Sequence, residues 1–176
     1  MHYIGSESVP LPLRDDLIGQ VPIMKKKFND YGLYAKATVN EILTPDQLAK
    51  SPILITNAIA TVYLTNTGKT FVKKELPVEA QYSPIYAIAI SDLNNDGNSD
   101  LVMAGNNSLN RIYLGRQDAN HGMVLLGDEK GNFQYLSQEK SGLNVRGDVR
   151  SILSDADGLI FGINNAPVKR YKIKKQ

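Results

Sequence analysis

The hydrophobic pattern of the chain changes its period near residue 52. After that point short apolar runs rich in β-branched residues recur, and the clearest are Ile85–Ile90, Leu101–Gly105 and Val149–Leu153. Runs of this length that are bounded by Asn, Asp and Gly are typical of β-strands. The pattern therefore predicts β-structure for most of the chain after residue 52.

Helical periodicity marks the region before that point. The apolar spacing predicts four helices, at Arg14–Gln20, Ile23–Asn29, Tyr31–Leu43 and from Thr44 onward. The fourth has a strong start signal, with Thr44 as N-cap, Pro45 at the first helical position and Gln47 placed to close a capping box. A helical segment is thus predicted ahead of the β-structure.

One face of the third predicted helix is apolar. Tyr34, Ala35, Thr38 and Ile42 share that face at helical spacing, so they are predicted to pack against the β-structure. An alternative is a ligand groove around Tyr31 and Tyr34, because insertions on a β-scaffold often carry binding functions.

The segment between two of the predicted strands places oxygen donors at alternate positions around a glycine. Gly97 allows a sharp bend, and the candidate metal ligands are the side chains of Asp92, Asn94, Asp96 and Asp100 and the main-chain carbonyl of Asn98. Carboxylates crowded into one turn repel each other unless a cation neutralises them. This pattern predicts a metal-binding loop.

Calcium is the cation that these donors favour. The chain has no cysteine, and zinc would require nitrogen or sulfur ligands. A helix–loop–helix calcium site is excluded because Met103 stands where a bidentate Glu would be needed. The alternative is an Asx-rich turn that binds no metal, since Asn, Asp and Gly favour turns by themselves.

The loop and its flanking strands resemble a known family. Asp-x-Asn-x-Asp-Gly-x-x-Asp between apolar strands is similar to the calcium loop of FG-GAP or VCBS repeats, and further similarity lies at Gln81–Pro84, Ala104–Asn106 and Gly115–Asp118. The resemblance extends from about Pro12 to Tyr171 and is to the C-terminal part of large secreted bacterial VCBS-repeat proteins. It implies β-propeller blades, bound Ca²⁺ and an extracellular or cell-surface location.

An internal repeat is visible without the family. Val62–Thr65, Gly68, Phe71 and Asp96-Gly97 recur as Val124–Gly127, Gly131, Phe133 and Asp157-Gly158, at offsets of 61 to 63 residues. The second copy of the loop has lost its ligand ladder, because Ala156, Leu159 and Phe161 offer no acidic side chains. We expect that second loop to hold no metal.

These observations predict a mainly β fold with two propeller-type blades and an N-terminal α-helical insertion. The expected divisions are an extension at 1–12, the helical insertion at 13–52, a first blade with the calcium loop at 53–122, and a second, degenerate blade at 123–176. A closed propeller needs roughly four to eight blades. The expected partners are therefore the remaining blades of a longer chain or further copies of this one.

Composition excludes several function classes. The chain is 42% hydrophobic and 22% charged with a formal net charge of +2, as in ordinary globular domains. The basic runs Lys25–Lys27 and Lys169–Lys175 lack the interleaved aromatic residues of a nucleic-acid platform, and the second reads as an edge strand in which Tyr171 and Ile173 are half-buried. No apolar stretch approaches the roughly 20 residues of a membrane span.

Catalytic groups are sparse. Arg116, His121 and Tyr113 are the one cluster that could act on an anionic sugar, with Asp118 orienting His121 as a general base. The competing interpretation is a structural turn in which Arg116 pairs with Asp118. The favoured hypothesis is a non-catalytic segment that presents loops to a glycan or protein, and the alternative is the propeller domain of a polysaccharide-active enzyme such as a lyase.

Two short motifs match by letters alone. Arg146-Gly147-Asp148 has the form of an integrin-binding tripeptide, but it leads directly into a predicted strand. Asn106-Asn107-Ser108 has the form of a glycosylation acceptor, yet Gly105-Asn106 is expected to shape the end of a strand.

Overall fold

The computed structural model describes residues 2–155 and 157–173. It is mainly β, with 33% of residues in strands and 21% in helices, and its sheets are small and antiparallel. The chain forms two compact units, residues 1–57 and residues 58–176. Within the described ranges the sheets do not close into a barrel or a complete propeller ring.

The first unit combines a short hairpin with helices. Its strands β1 and β2 cover His2–Ile4 and Glu7–Val9, and its helices α1 to α5 cover Arg14–Gln20, Met24–Lys27, Tyr31–Ala35, Val39–Ile42 and Pro45–Lys50. The start of α5 confirms the predicted capping box, because Thr44 N–H donates to Gln47 Oε1 at 2.9 Å and Gln47 N–H donates to Thr44 Oγ1 at 3.3 Å. The short hairpin was not predicted from the sequence.

The single helix predicted at Tyr31–Leu43 is wrong, because a second capping box divides it into α3 and α4. Glu41 Oε2 accepts from the main-chain N–H of Thr38 at 2.7 Å, and Thr38 has extended backbone angles. This N–H lowers the pKa of Glu41 below its ordinary value. A local cap thus interrupts the apolar periodicity, and Ile23–Asn29 likewise shortens to Met24–Lys27.

The helices of the first unit bury a small core of their own. Phe28 and Tyr34 meet edge to face with ring centroids 5.4 Å apart, and Ala37 and Ile42 complete the cluster. Tyr34 Oη donates to the carbonyl of Pro12 at 2.7 Å. Because the helix is interrupted, Tyr34 and Ile42 meet in this core and do not form one continuous helical face.

The second unit contains three antiparallel sheets. The first holds β3 (Val62–Asn66) and β4 (Phe71–Glu75), the second holds β5 (Ile85–Ser91), β6 (Asp100–Gly105), β7 (Met123–Gly127) and β8 (Phe133–Leu136), and the third holds β9 (Val149–Asp155), β10 (Gly158–Ile163) and β11 (Lys169–Lys172). A short helix, α6 (Gln138–Ser141), follows β8, and 3₁₀ turns cover Val78–Gln81 and Ile112–Leu114.

Apolar clusters cover both faces of the four-stranded sheet. On one face Met103, Met123 and Leu125 pack under β3, where the rings of Tyr63 and Phe133 are 5.3 Å apart. The other face packs against the third sheet through a core that includes Ala87, Val102, Val124, Val149 and Phe161. Alternate residues of each strand point to opposite faces, so both layers use the same strands.

The sheets are offset from the sequence repeat. Strand β6 pairs with β7, so the division predicted between residues 122 and 123 falls inside the four-stranded sheet. The first repeat supplies β3 to β6 and the second supplies β7 to β10. The pair β5 and β6, which ends the first repeat, therefore forms a sheet with the pair β7 and β8, which begins the second.

Over residues 2–155 and 157–173, none of the helices has the length and apolar character needed to cross a bilayer.

Candidate metal centre

The candidate loop joins β5 and β6. Ser91 and Asp100 face each other as the last pair of the ladder, which places the intervening residues in a tight connection at the end of the hairpin. Asn95 and Gly97 adopt left-handed backbone angles, with φ of 58° and 86°. Asn and Gly tolerate this region better than other residues, which explains the local bend.

Two of the predicted ligands converge on one donor. The main-chain N–H of Asp96 donates to Asp92 Oδ1 at 3.2 Å and to Asn94 Oδ1 at 3.1 Å. The other oxygen of Asp92 accepts from Gly97 N–H at 2.9 Å. These shared bonds hold the side-chain oxygens of Asp92 and Asn94 on the same side of the turn.

Asp96 lies exposed at the tip of the loop. Its Oδ1 accepts from the main-chain N–H of Asn98 at 2.8 Å, and its Oδ2 accepts from Asn94 Nδ2 at 2.8 Å. The Asn98 N–H, followed by the Asn94 amide, lowers the pKa of Asp96 below its ordinary value of 3.8. These hydrogen bonds favour the charged form of the carboxylate, which is the form that binds a cation.

Asp100 occupies a different environment. It is completely buried, and its two oxygens accept from the main-chain N–H groups of Leu93 at 2.8 Å and Gly127 at 2.9 Å. These bonds tie the loop to β6 and β7. In this geometry Asp100 anchors the hairpin to the neighbouring strand.

The donor set fits calcium in part. Among the described residues, no three histidine or acidic side chains are arranged to hold a metal ion together. Asp92 and Asp96 nevertheless supply two carboxylates beside the Asn94 amide oxygen, and each oxygen retains a lone pair after its hydrogen bond. An oxygen-only set of this kind suits a hard divalent cation.

The second copy of the loop is neutralised from within the protein. Arg170 Nη2 lies 2.9 Å from Asp155 Oδ2 and 3.8 Å from Asp157 Oδ2. Ala156 lies outside the described residues. The positive charge of the guanidinium offsets part of the negative charge of these two acids. The absence of metal from this loop stays a prediction.

Sequence reasoning missed a polar junction between the second and third sheets. Asn106 is 1% exposed, and its Nδ2 donates to the carbonyls of Asn120 at 2.6 Å and Gly147 at 3.0 Å. Arg150 donates to the Asn106 carbonyl at 2.9 Å and stacks over the ring of Tyr86. The sequence offered one sign of this junction, which is an asparagine directly after the glycine that ends β6. Asn106 has a positive φ of 89°, and asparagine adopts positive φ values more readily than most other residues.

The two short motifs are both part of this junction. Asp148 is 4% exposed, and its carboxylate accepts from the main-chain N–H of Ser108 at 3.0 Å. A buried carboxylate cannot be presented to an integrin-type receptor, and the buried Asn106 amide cannot accept a glycan. Both residues therefore act in packing, as the competing interpretations expected.

Arg116 and Asp118, two of the residues considered for catalysis, are paired with each other. Arg116 Nε lies 3.1 Å from Asp118 Oδ2, and both side chains are more than half exposed. Asp118 is thus engaged by Arg116, as the structural-turn interpretation predicted. His121 contributes its main-chain carbonyl to the N–H of Val145 at 2.7 Å, and the side chain of Tyr113 lies outside the described structure.

No family model, curated protein or solved structure matches this chain.

Proposed function

We propose that this chain is a calcium-stabilised, non-catalytic scaffold segment of an extracellular β-propeller of the VCBS or FG-GAP type. Its role would be to present loops to a glycan or protein partner. The observation that carries this proposal is the stacking of three antiparallel sheets in chain order. The oxygen-rich loop connects β5 and β6, the first two strands of the four-stranded sheet.

The sheet order supports propeller blades. In the four-stranded sheet, β5 is the strand that lies against β9, the first strand of the third sheet. The blades of a propeller are likewise four-stranded antiparallel sheets that lie next to one another around a central channel. The shift between the repeat boundaries and the sheet boundaries also supports blades. Each repeat would then supply the last two strands of one blade and the first two strands of the next.

The first sheet supports the presence of further blades. Strands β3 and β4 correspond to β7 and β8 by the sequence repeat, and among the described residues no strands take the positions beside β3 that β6 and β5 take beside β7. The surface that such strands would cover is apolar and exposed, with Tyr86, Ile88 and Ile90 at 49%, 54% and 65% exposure. Blades of a longer chain, or another copy of this one, would bury it.

Calcium would be held by Asp92, Asn94 and Asp96, with the Asn98 carbonyl as a further donor. A bound Ca²⁺ would supply charge neutralisation in the turn, which the hydrogen bonds alone do not provide. Asp92 and Asp96 would fix the tip of the hairpin, and Asp100 would connect that tip to β7. The result is a rigid edge from which neighbouring loops project.

The alternative of a polysaccharide-active enzyme has less support. It requires Arg116 to face an anionic sugar, whereas the described geometry pairs Arg116 with Asp118. No second activity is proposed for this reason.

The test is a calcium titration of the full chain followed by scanning calorimetry. At a free calcium concentration of 100 times the dissociation constant, folding should gain about 2.7 kcal/mol. Asp96→Asn should abolish most of this gain because it removes one of the two exposed loop carboxylates.

A matched control exists in the turn between β7 and β8. Asp128 also accepts main-chain N–H groups, from Lys130 at 2.9 Å and Asn132 at 2.7 Å, and it lacks the alternating ligands. Asp128→Asn should leave the calcium response unchanged. A melting temperature that is the same in calcium and in chelator would rule out the calcium site.

A further inference from the structure

A small pocket lies beside the start of β7. Its volume is about 160 Å³, and its walls come from the 3₁₀ turn Val78–Gln81, the connection into β7, strand β8 and the start of α6. The polar side chains around it belong to Glu79, Tyr82, Asn120, His121, Tyr135 and Gln138. None of these six residues lies on β3 or in the third sheet, so the pocket does not depend on strands that a longer chain would add there.

Asn120 carries an unsatisfied donor at the wall of this pocket. The residue is 4% exposed, and Asn106 engages both of its main-chain groups, with the Asn120 N–H donating to Asn106 Oδ1 at 2.9 Å and the Asn120 carbonyl accepting from Asn106 Nδ2 at 2.6 Å. Asn120 Oδ1 accepts from Gly122 N–H at 2.7 Å. Asn120 Nδ2 is buried and has no hydrogen-bond partner among the described residues. Because a buried donor without a partner is costly, an acceptor that occupies the pocket is stabilised there.

The other polar groups around the pocket are also able to receive a ligand. Within the described part of the chain, the Glu79 carboxylate, the hydroxyls of Tyr82 and Tyr135 and the His121 imidazole form no hydrogen bond or ion pair with one another or with other residues. Gln138 Nε2 donates to the His121 carbonyl at 3.5 Å. Glu79 is half-buried, so a donor that reaches its carboxylate forms a charge-assisted hydrogen bond. The pocket therefore offers both donors and acceptors beside two tyrosine rings.

We propose that this pocket binds one neutral sugar unit of a glycan. The inference rests on the proposed function, which allows a glycan or a protein as the partner, and it selects the glycan. A ligand here accepts from Asn120 and donates to Glu79. An anion is repelled by Glu79, and an ammonium group has no acceptor for Asn120, whereas the hydroxyls of a neutral sugar both donate and accept.

The size of the pocket and its tyrosine rings agree with a single sugar ring. Pockets for drug-sized ligands measure roughly 300–1,000 Å³, so this smaller pocket takes a smaller group. Tyr82 is 57% exposed, and the half-buried Tyr135 packs against the apolar cluster that contains Met123 and Leu125. The apolar C–H face of a sugar ring stacks on a tyrosine, because a tyrosine has an apolar body and a polar tip.

The test is an NMR titration of the isotope-labelled full chain with the methyl glycosides of glucose, galactose, mannose and N-acetylglucosamine, each in the millimolar range. At least one glycoside should shift the side-chain amide signal of Asn120 saturably, because a sugar oxygen becomes the missing acceptor. The side-chain amide of Asn132 already donates to Asp128 at 2.9 Å, so it is the internal control and should not move. An Asn120 signal that is unchanged by all these glycosides would overturn the proposal.

Two variants at the surface of the pocket test its contacts with the sugar. Glu79→Gln should weaken binding by about tenfold, because it removes a charge-assisted hydrogen bond. Tyr82→Ala should weaken binding by about fivefold, because it removes the ring that stacks on the sugar. The control is Glu129→Gln, which changes an exposed carboxylate between β7 and β8 and should leave the affinity unaltered. Equal effects of Glu79→Gln and Glu129→Gln would contradict the assignment of this pocket.

The glycoside titration is run in chelator and again in calcium, so that this inference and the calcium scaffold fail separately. Glycoside binding in both buffers, with no effect of calcium on the melting temperature, would support the sugar pocket and overturn the metal site. A calcium effect on the melting temperature without glycoside binding would support the metal site and overturn the sugar pocket.

Discussion

At the scale of single residues, buried polar groups join the sheets of the second unit. Asn106 bridges two segments that are distant in sequence, and Asp148 holds the main chain at Ser108. The bonds between Asn106 and Asn120 satisfy the N–H and the carbonyl of a buried residue, so their loss costs more than their formation gains. These residues are expected to determine how firmly the sheets are joined.

Replacement of Asn106 tests this role. Asn106→Ala should lower the free energy of unfolding by about 3 kcal/mol, because it leaves the N–H and the carbonyl of buried Asn120 without the partner that Asn106 provides. Asn106→Gly separates this effect from backbone strain, since Gly accepts the positive φ without cost. Urea unfolding measures both variants, and Asn107→Ala is the control, with an expected change within about 0.5 kcal/mol. Equal losses in Asn106→Ala and Asn107→Ala would contradict the bridging role.

Asp96 should give the loop a defined pH dependence without metal. Its pKa is lowered in the folded state, so its contribution to stability is complete above the unfolded value and disappears as pH falls through the folded value. Carboxyl carbon NMR should locate this titration below pH 3.8. The stability difference between the wild type and Asp96→Asn should vanish at lower pH, and a difference that persists there would contradict this assignment.

At the scale of elements, the sequence predicted features that depend on neighbouring residues and missed features that depend on contacts between distant residues. The apolar runs predicted β5 and β6, and Thr44 with Gln47 predicted the start of α5, because each signal lies within a few residues. The break at Thr38 was missed because its cap lies inside an apolar pattern that continues past it. The junction of Asn106 with Gly147 was missed because it spans 41 residues and depends on how the sheets stack.

The β5–β6 hairpin provides the prediction at this scale. Asp100→Asn should lower the free energy of unfolding by about 3 kcal/mol in both calcium and chelator, because the amide turns an N–H toward Leu93 or Gly127. Denaturant unfolding in the two buffers measures it, with the exposed Asp92→Asn as the comparison in chelator. A loss confined to calcium would instead make Asp100 a metal ligand, as the sequence predicted.

At the scale of the whole molecule, the described part of the second unit is a series of three antiparallel sheets in chain order. The sequence predicted repeating β-units but placed their boundary inside the four-stranded sheet. The reason is physical: a repeat is defined by similar residues, whereas a sheet is defined by hydrogen-bond partners, and β6 finds its partner in the next repeat. Nothing in the periodicity of either repeat encodes that choice.

The exposed apolar side of β5 should drive association of isolated chains. Replacing Ile88 and Ile90 together by Lys should weaken self-association by about tenfold or more, because both residues would lie at the centre of the contact. Sedimentation velocity over a range of concentrations measures this change. Leu109→Lys is the control, since Leu109 is 73% exposed and lies in the long connection between β6 and β7. Similar effects of the two changes on self-association would show that the exposed side of β5 is not the contact surface.

Asn94 belongs to two features of the structure. Its side-chain oxygen accepts a hydrogen bond in the oxygen-rich turn, and the residue also lines the groove of about 780 Å³ that is bordered by β7, β8 and β11. Wherever a cation in the turn and a molecule in the groove affect each other's binding, the effect is reciprocal. A cation that immobilises Asn94 would change the affinity of the groove for that molecule by the same factor by which the molecule changes the affinity of the turn for the cation.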